Sequence, residues 1–347
     1  MTMKHTLIGD IPETHYSVWE AFFYYFKPLE EYFSDDSVTE IMVNKYDEVF
    51  IERGSKIIEE KGCTFGSEAN LKQFIKQLAN ALNQDISDDQ PVLDARFPDT
   101  SRVCCTWDSI TPYGCSVTLR KAPKRMLTFD DLVGFGALTQ DMVDFIREQM
   151  ADEANMLVSG NTGSGKTSLL RAMLAFVDPN CRMITSEDTM EIYAKRHVRN
   201  CIALEAAKRK VAEGHKPIEL ADLIRTTLRQ RPDHVWVGEI RDAEAAHAVT
   251  TVLNTGITGF ASTLHANGPE DAVSRIQYLM ASSGKLDYDL VGRTLRGNIQ
   301  MLIHADRNHR KYGRKIKDIC VIQDQKIIPV FRFNEDTHKH EYLGAPR

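Results

Sequence analysis

The sequence predicts an α/β fold with a parallel sheet in its second half, preceded by a smaller α+β domain. From about residue 139, strand-like apolar runs alternate with helical patterns, which favours parallel strands covered by helices on both faces. Before that point, short strand signals surround one helical stripe, a pattern typical of an α+β domain. A length of 347 residues also suggests two domains rather than one.

The chain begins with an aromatic segment, which we predict as a helical extension over residues 1–33. Trp19, Phe22, Phe23 and Phe26 recur at helical spacing. Such a helix either packs on its own domain or presents its rings to a partner or a membrane surface. The segment lacks the basic polar face that membrane-surface helices usually carry.

The predicted α+β domain covers residues 34–120. Ser67 can cap a helix whose apolar residues run from Leu71 to Leu82. A charged, proline-broken linker is predicted over 121–138, in which Thr128 and Asp131 form a capping box that starts a new helix. Strand signals in this domain fall at 38–43, 49–52, 92–97, 101–107 and 115–120.

The predicted α/β domain covers residues 139–347. Helices fit between its strands, for example from Asp242 to Asn254. The basic run at 308–317 is typical of a solvated hairpin tip, although it could also contact lipid head groups or DNA. Strand signals in this domain fall at 155–159, 182–186, 234–238, 260–264 and 299–304.

Composition excludes several classes of protein. A net charge of −6 argues against a general nucleic-acid binder. The sequence contains no run of about 18 apolar residues and therefore predicts no membrane-spanning helix. The first ten residues show no signal-peptide core. Seven scattered cysteines without C-x-x-C spacing indicate reduced, packed thiols rather than a disulfide frame or a zinc site.

The segment Gly160–Ser168 fits the phosphate-binding pattern G-x-x-x-x-G-K-[ST] and lies between an apolar run and a helical stretch. Its glycines allow main-chain N–H groups to form an anion-binding nest at a helix N-terminus. Lys166 is expected to reach the β- and γ-phosphates, and Thr167 to hold Mg²⁺. A dinucleotide fold is disfavoured because it needs glycine where Ser168 stands. The predicted ATP-binding residues of the loop are Gly160, Asn161, Thr162, Gly163, Ser164, Gly165, Lys166, Thr167 and Ser168.

Three further polar clusters follow predicted strands of the same sheet. Two are acidic, at 184–191 and 235–242, and the third contains His265. Because ligands of open α/β sheets bind beyond the carboxyl ends of the strands, we expect all three to face the phosphates. Each cluster alone is also compatible with an ordinary polar turn.

Together these elements resemble the ATPases that drive type II secretion, type IV pili and type IV secretion, most closely the VirB11-like and Tad-pilus (CpaF-like) branch. The elements occur in family order: a Walker A loop at 160–167, an Asp box at 184–191, a Walker B segment at 238–242 and a His box at 262–267. Residues 34–305 carry the resemblance. It implies a RecA-like P-loop NTPase domain after the α+β domain.

The sequence departs from the family pattern at two positions. Gly256 is followed by Ile257, where the His box usually opens with Gly-His, so His265 matches only the second histidine. Gly238 stands where other P-loop proteins place the Walker B aspartate, which leaves Glu239 as the acidic member.

The resemblance implies roles for matched residues. Glu187 positions the attacking water, Glu239 acts through Mg²⁺, and His265 contacts the γ-phosphate. Arg241 and Arg229 are secondary candidates for a catalytic cation, with pairing at a subunit interface as the alternative. Three arginines match N-terminal-domain residues that approach the nucleotide phosphates, with surface salt bridges as the alternative: Arg96, Arg102 and Arg120.

The resemblance also implies a homo-hexamer that hydrolyses ATP with Mg²⁺, with nucleotide between the two domains. It implies a cytoplasmic location at the inner membrane, reached through partner proteins of a secretion or pilus complex. A type IV secretion or conjugation motor is the leading hypothesis, and a Tad-type pilus motor shares its chemistry. A nucleic-acid translocase is disfavoured by the acidic balance of the chain. A scaffold that binds ATP but turns over little is the fourth hypothesis.

Overall fold

The computed structural model describes residues 16–54, 56–123, 125–206, 217–282, 287–308 and 311–345. The segment in which the sequence shows no signal-peptide core therefore lies outside the described residues. Within the described ranges, no helix is both long enough and apolar enough to cross a membrane. The chain divides into two compact units, Met1–Arg125 and Met126–Arg347.

The division at Arg125 falls inside the predicted linker 121–138. The later part of that segment belongs to the second unit and forms a helix at Phe129–Gly134. Thr128 caps this helix, and the Asp131 side chain accepts a hydrogen bond from the Thr128 main-chain N–H, so the predicted capping box is confirmed.

The first unit contains an antiparallel sheet of six strands among its described residues, in the order β3-β2-β1-β6-β5-β4. No strand signal in the sequence indicates the edge strand β3. The strands are β1 Val38–Lys45, β2 Glu48–Arg53, β3 Lys56–Glu59, β4 Val92–Arg96, β5 Arg102–Thr106 and β6 Ser116–Arg120. The helices are α1 Tyr16–Phe26, α2 Glu30–Ser34 and α3 Glu68–Ala81.

The aromatic helix α1 is part of the core of this unit. Trp19, Phe22 and Phe26 are buried, and the Phe22 ring lies 5.7 Å from that of Phe74 on α3. The Phe97 ring lies 5.8 Å from Phe22 on another side. The interpretation in which this helix packs on its own domain is therefore confirmed.

The second unit contains a nine-stranded mixed sheet among its described residues, in the order β15-β14-β13-β12-β7-β11-β10-β8-β9. The strands are β7 Met156–Gly160, β8 Met183–Glu187, β9 Cys201–Glu205, β10 His234–Ile240, β11 Ala261–Leu264, β12 Met301–Asn308, β13 Gly313–Gln323, β14 Lys326–Asn334 and β15 Lys339–Tyr342. The helices are α4 Phe129–Gly134, α5 Gln140–Ala151, α6 Lys166–Met173, α7 Leu220–Thr227, α8 Ala243–Leu253, α9 Pro269–Ala281 and α10 Tyr288–Asn298.

The predicted parallel sheet is only part of this sheet. Strands β9, β8, β10, β11, β7 and β12 are parallel, whereas β13 to β15 extend the sheet as an antiparallel meander. Short connections such as the turn at 324–325 allow this antiparallel pairing, since a hairpin needs no crossover helix. Neither β9 nor the meander is among the strands that the sequence pattern predicts.

Helices cover both faces of the sheet, as predicted. On β7, Met156 and Val158 join one buried cluster with residues of α4, α5 and α6. Leu157, between them, joins a second cluster with residues of α7 to α10. Successive strand residues point to opposite faces of the sheet, so the uninterrupted apolar run of β7 packs into a hydrophobic core on each face.

Six of the seven cysteines are buried, as the prediction of packed thiols expects, whereas Cys104 is exposed.

Candidate functional site

The glycine-rich loop connects β7 to α6 with three left-handed or extended glycines. The φ angles are +154° at Gly160, +72° at Gly163 and +101° at Gly165. A Cβ atom on Gly160 would lie only 2.0 Å from the carbonyl oxygen of Ala305 on β12. Glycine is therefore needed here both for the backbone turn and for the close approach of the neighbouring strand.

Lys166 begins α6 and is almost completely buried. Its Nζ donates hydrogen bonds to the carbonyl oxygens of Gly160 (3.0 Å) and Asn161 (3.2 Å), and lies 3.2 Å from His265 Nδ1. Burial lowers the pKa of this ammonium group, while the nearby Glu239 carboxylate opposes the change. The cation is thus held on the inner side of the loop. Of the other loop residues, Asn161, Thr162 and Gly163 are exposed, Ser164 is buried, and Gly165, Thr167 and Ser168 are half-buried.

Glu239, Arg241 and His265 meet beside the loop. Arg241 donates to Glu239 Oε2 from Nε (2.9 Å) and Nη2 (2.6 Å). His265 Nε2 lies 2.9 Å from Glu239 Oε1, an ion-pair distance without hydrogen-bond geometry. Three side chains taken from two separate motifs therefore form one connected group with Lys166.

The contacts of His265 constrain its tautomer. Nδ1 lies 3.2 Å from Lys166 Nζ and 3.1 Å from Gly160 O. One nitrogen cannot bond to both: the Lys166 ammonium group only donates and needs Nδ1 without a proton, whereas the Gly160 carbonyl oxygen only accepts and needs a proton on Nδ1. When Lys166 makes the bond, a neutral imidazole carries its proton on Nε2, the nitrogen that faces Glu239.

Glu187, the last residue of β8, is buried next to this group but is bonded to its own loop. Its Oε2 accepts hydrogen bonds from the main-chain N–H groups of Glu191 (2.7 Å) and Ile192 (2.9 Å). Among the described residues, its Oε1 has no hydrogen-bond partner. Burial raises the pKa of the Glu187 carboxyl from 4.5 to about 7, although the two N–H groups act in the opposite direction.

Gly238 explains how Glu187 fits against β10. A Cβ atom at position 238 would lie 3.2 Å from Glu187 Cγ and 3.4 Å from its Cβ. The first separation is tighter than most van der Waals contacts and the second lies at their lower limit, so the absence of a side chain at Gly238 leaves room for the glutamate. Gly238 stands where other P-loop proteins have the Walker B aspartate, and the Glu187 side chain on the adjacent strand lies against the space that a side chain at 238 would occupy.

The three predicted arginines of the first unit lie in one row across its sheet. Arg102 pairs with Arg96 on one side and with Arg120 on the other. Beyond Arg120 the row continues with Glu40, whose Oε1 lies 3.6 Å from Arg120 Nε. Like charges directly opposite one another repel, and the Glu40 carboxylate offsets part of the positive charge at the Arg120 end of the row. In the second unit, the secondary candidate Arg229 is exposed.

The β12–β13 hairpin contributes residues to the site that no sequence motif indicates. Asn161 Nδ2 donates to Asp306 Oδ1 (2.7 Å), and Tyr312 OH donates to Asp306 Oδ2 (2.5 Å). Arg314 Nε donates to the carbonyl oxygen of Gly163 (2.8 Å). Only the pairing of β12 with β7 brings these side chains to the loop.

The basic run at 308–317 does form a hairpin, but several of its described cations have partners on the protein. Lys317 Nζ lies 2.6 Å from Glu335 Oε1, and Lys315 donates to the carbonyl oxygen of Gly136. With Arg314 bonded to the phosphate loop, the run is not simply a solvated tip. Residues 309–310 lie outside the described part of the chain.

Comparison with known proteins connects this geometry to a family. The family model described as "Type II/IV secretion system protein" matches residues 25–327, well over half of the chain. A putative conjugal transfer protein of Mycobacterium tuberculosis is 30% identical over 301 residues, covering 85% of this chain and 84% of the relative. The type IV secretion system protein VirB11 of Brucella suis is 27% identical over 341 residues, covering 90% and 94%.

Another relative is much longer than this chain. An uncharacterized protein of Methanocaldococcus jannaschii is 37% identical over 239 residues, which is 67% of this chain but only 32% of that protein. The chain therefore matches about a third of that relative's length.

Solved structures share the fold. The Legionella pneumophila ATPase DotB superposes with a TM-score of 0.61 at 20% identity, covering 87% of this chain and 82% of that one. The predicted architecture, a RecA-like P-loop domain following a smaller α+β domain, is confirmed by this likeness and by the sheets described above. The chain belongs to the family of type II/IV secretion system proteins, as its ordered motifs indicate.

Proposed function

We propose that this protein hydrolyses ATP to power substrate translocation or pilus assembly by a type IV secretion or conjugation machine. The observation that carries the proposal is the connected group of Lys166, His265, Glu239 and Arg241 beside the glycine-rich loop. The names of the Mycobacterium and Brucella relatives favour conjugation or secretion over the alternative of a Tad-type pilus motor.

Phosphate binding begins with the loop. The positive-φ glycines precede the N-terminus of α6, where the first main-chain N–H groups of a helix are free to bind an anion and the helix dipole adds partial positive charge. Lys166 Nζ already bonds two carbonyl oxygens on the inner side of the loop. A γ-phosphate replaces these neutral acceptors with a charged one, which makes a shorter and stronger bond.

The residues present fit a magnesium ion. Glu239 offers a carboxylate oxygen, Oε1, that is buried and accepts no hydrogen bond among the described residues; His265 Nε2 lies 2.9 Å from it, so the imidazole would have to move aside or share this oxygen with the ion. Thr167 adds a half-buried hydroxyl on the first turn of α6. Mg²⁺ prefers such oxygen ligands and, when bound, neutralises charge on the phosphates. Arg241 holds the other Glu239 oxygen and so fixes the direction of Oε1.

Glu187 is the proposed residue that orients the attacking water and takes its proton. A general base works best when its pKa lies near the working pH, and burial brings Glu187 to about 7. Two main-chain donors hold Oε2, which leaves Oε1 as the oxygen that can accept from water. His265 is the proposed contact to the γ-phosphate because it links Lys166 with Glu239.

The arginine row of the first unit is the proposed source of additional positive charge. Arg96, Arg102 and Arg120 present three guanidinium groups on adjacent strands, and phosphoryl transfer gains from such cations at the developing charge. Of the predicted segments 1–33, 34–120, 121–138 and 139–347, the first two are proposed to act as one domain because α1 packs in the core of the first unit. The proposed assembly is a homo-hexamer, cytoplasmic and attached to the inner membrane through partner proteins.

Steady-state ATP hydrolysis by purified variants tests this proposal. Lys166→Ala removes a charge-assisted contact worth about 1.5–3 kcal/mol, so ATP binding should weaken roughly 10- to 150-fold. Glu187→Gln should still bind ATP while turnover falls by about 100-fold or more. Lys326→Ala changes an exposed lysine on β14 and serves as the matched control, with unchanged hydrolysis.

Three results would redirect the proposal. Normal hydrolysis in Lys166→Ala would refute the site. An unchanged slow rate in Glu187→Gln would indicate a nucleotide-gated scaffold instead of a motor. Strong stimulation of the wild-type rate by single-stranded DNA would favour a nucleic-acid translocase.

A further inference from the structure

The orientation of Glu187 depends on the main chain of the loop that follows β8. Both hydrogen bonds to its Oε2 come from this loop, from the N–H groups of Glu191 and Ile192. The Ile192 N–H belongs to the same peptide unit as the Glu191 carbonyl group. Because a peptide unit is planar, any contact that fixes this carbonyl oxygen also fixes the direction of the Ile192 N–H bond.

Arg171 makes that contact. It lies on α6, the helix that begins with Lys166, and its Nε donates a hydrogen bond to the Glu191 carbonyl oxygen. Hydrogen bonds in series through one peptide unit polarise each other, so the bond from Arg171 strengthens the Ile192 N–H as a donor.

Tyr193 places the Arg171 side chain. The guanidinium carbon lies 5.2 Å from the centre of the Tyr193 ring, within the range of a cation–π contact. Tyr193 has a φ of +55°, a left-handed conformation that is uncommon for a large side chain and that the surrounding contacts must maintain. Arg196 lies over the same ring, at 4.7 Å.

We propose that Arg171 is a positioning residue for ATP hydrolysis, which couples the phosphate-binding helix to Glu187 through the peptide unit between Glu191 and Ile192. The proposal rests on the function proposed above for Glu187. Lys166 and Arg171 are five residues apart on one rigid helix, so a displacement of α6 when phosphate binds reaches Glu187 through a single hydrogen-bonded peptide.

The charged surroundings of Glu187 predict the sign of the effect. Burial raises its pKa, as does the Glu191 carboxylate, whereas the two N–H groups and the Arg171 charge lower it. On the neighbouring strand β9, Glu205 occupies the paired position and Cys201 lies close enough to interact with the carboxylate. Loss of Arg171 removes a positive charge and loosens a donor, so the pKa of Glu187 must rise.

The test compares pH profiles of kcat for ATP in the full-length wild type, Arg171→Ala, Arg171→Lys and Arg196→Ala. The wild-type rate should increase with pH around pH 7. In Arg171→Ala the midpoint should move upward by about one pH unit, which lowers kcat at pH 7 roughly fivefold while KM stays within about twofold. Arg171→Lys keeps the charge and should show a smaller shift. Arg196→Ala removes only stacking on the same ring and should keep the wild-type midpoint.

Two different outcomes would overturn the proposal. In the first, Arg171→Ala lowers kcat equally at all pH values. In the second, Arg196→Ala moves the midpoint of the pH profile as far as Arg171→Ala does. Either result would mean that Arg171 only stabilises the local structure and does not set the pKa of Glu187. If Arg171→Ala does not fold, as judged by its denaturation midpoint, the Arg171→Lys profile decides by the same criterion. Wild-type turnover in Glu187→Gln would instead refute the proposed role of Glu187 itself, which separates the two failures.

Discussion

Replacing Glu187 by glutamine should make the stability of the protein less sensitive to pH, independently of any effect on catalysis. The folded-state pKa of Glu187 is about 7, whereas its ordinary value is 4.5. A carboxyl group whose pKa is raised by folding stabilises the protein fully below its unfolded-state pKa. That stabilisation is lost as the pH rises through the folded-state pKa.

The magnitude follows from the difference between the two values. Each pKa unit corresponds to about 1.4 kcal/mol, so most of about 3 kcal/mol is lost between pH 5 and pH 8.5. For a unit of this size, about 1 kcal/mol changes the midpoint of thermal unfolding by about 2–4 °C. From pH 5 to pH 8.5, the midpoint of thermal unfolding of Glu187→Gln should therefore rise by roughly 5–10 °C relative to that of wild type.

Thermal unfolding of both proteins at pH 5 and pH 8.5 measures this difference. A glutamine amide introduces its own cost, because it places N–H groups where Oε1 is buried, but that cost is the same at both pH values. Glu187→Met provides a control, since it also removes the titration and should show the same pH-dependent component. A difference between variant and wild type that does not change with pH would refute a raised pKa at Glu187.

Three further variants test separate parts of the structure. Gly160→Ala places a Cβ against the Ala305 carbonyl oxygen and should destabilise the second unit by about 3 kcal/mol or more, measured by denaturant unfolding. Arg314→Ala removes the bond to the Gly163 carbonyl oxygen and should raise KM for ATP by about 2- to 10-fold with little change in kcat, measured by steady-state kinetics. Trp19→Ala opens a cavity in the aromatic core and should cost about 3–5 kcal/mol of stability in the first unit. Denaturant unfolding followed by far-UV circular dichroism measures this loss without relying on tryptophan fluorescence.

Each of these variants has a control or a contradicting result. Gly134→Ala, on the helix α4 of the same unit, adds a Cβ with no atom within 4 Å, and its stability should stay near or slightly above that of wild type. Unchanged KM in Arg314→Ala would mean that the hairpin does not shape the phosphate loop. A stable Trp19→Ala protein would contradict the placement of α1 in the core.

The sequence predicted those features that depend on local patterns. The spacing of Trp19, Phe22 and Phe26 predicted a helix, and the structure buries that helix in its own unit. The phosphate-loop motif and the ends of three parallel strands predicted that Lys166, Glu239 and His265 would meet, and they do. These successes rest on regular periodicity and on the common edge at which parallel strands end.

The features that were missed depend on pairing between distant segments. In strand β9 and in the meander of β13 to β15, the alternation of apolar and polar residues is short or dominated by polar residues. These segments become strands because they pair with their neighbours in the sheet. The bond between Asn161 and Asp306 joins residues 145 positions apart. Likewise, the Arg171–Glu191 contact exists only because α6 packs beside the loop after β8. Burial of Glu187, and hence its raised pKa, also follows from three-dimensional packing.

The close approach of Gly238 to Glu187 restricts how this pair of strands can vary. A Cβ at position 238 would lie 3.2 Å from Glu187 Cγ, so an aspartate there requires the Glu187 side chain to shift by a few tenths of an ångström. Two carboxylates at these neighbouring positions of β8 and β10 therefore compete for the same space. An aspartate introduced at 238 should lower the stability of the protein, and a smaller residue at 187 should recover part of that loss.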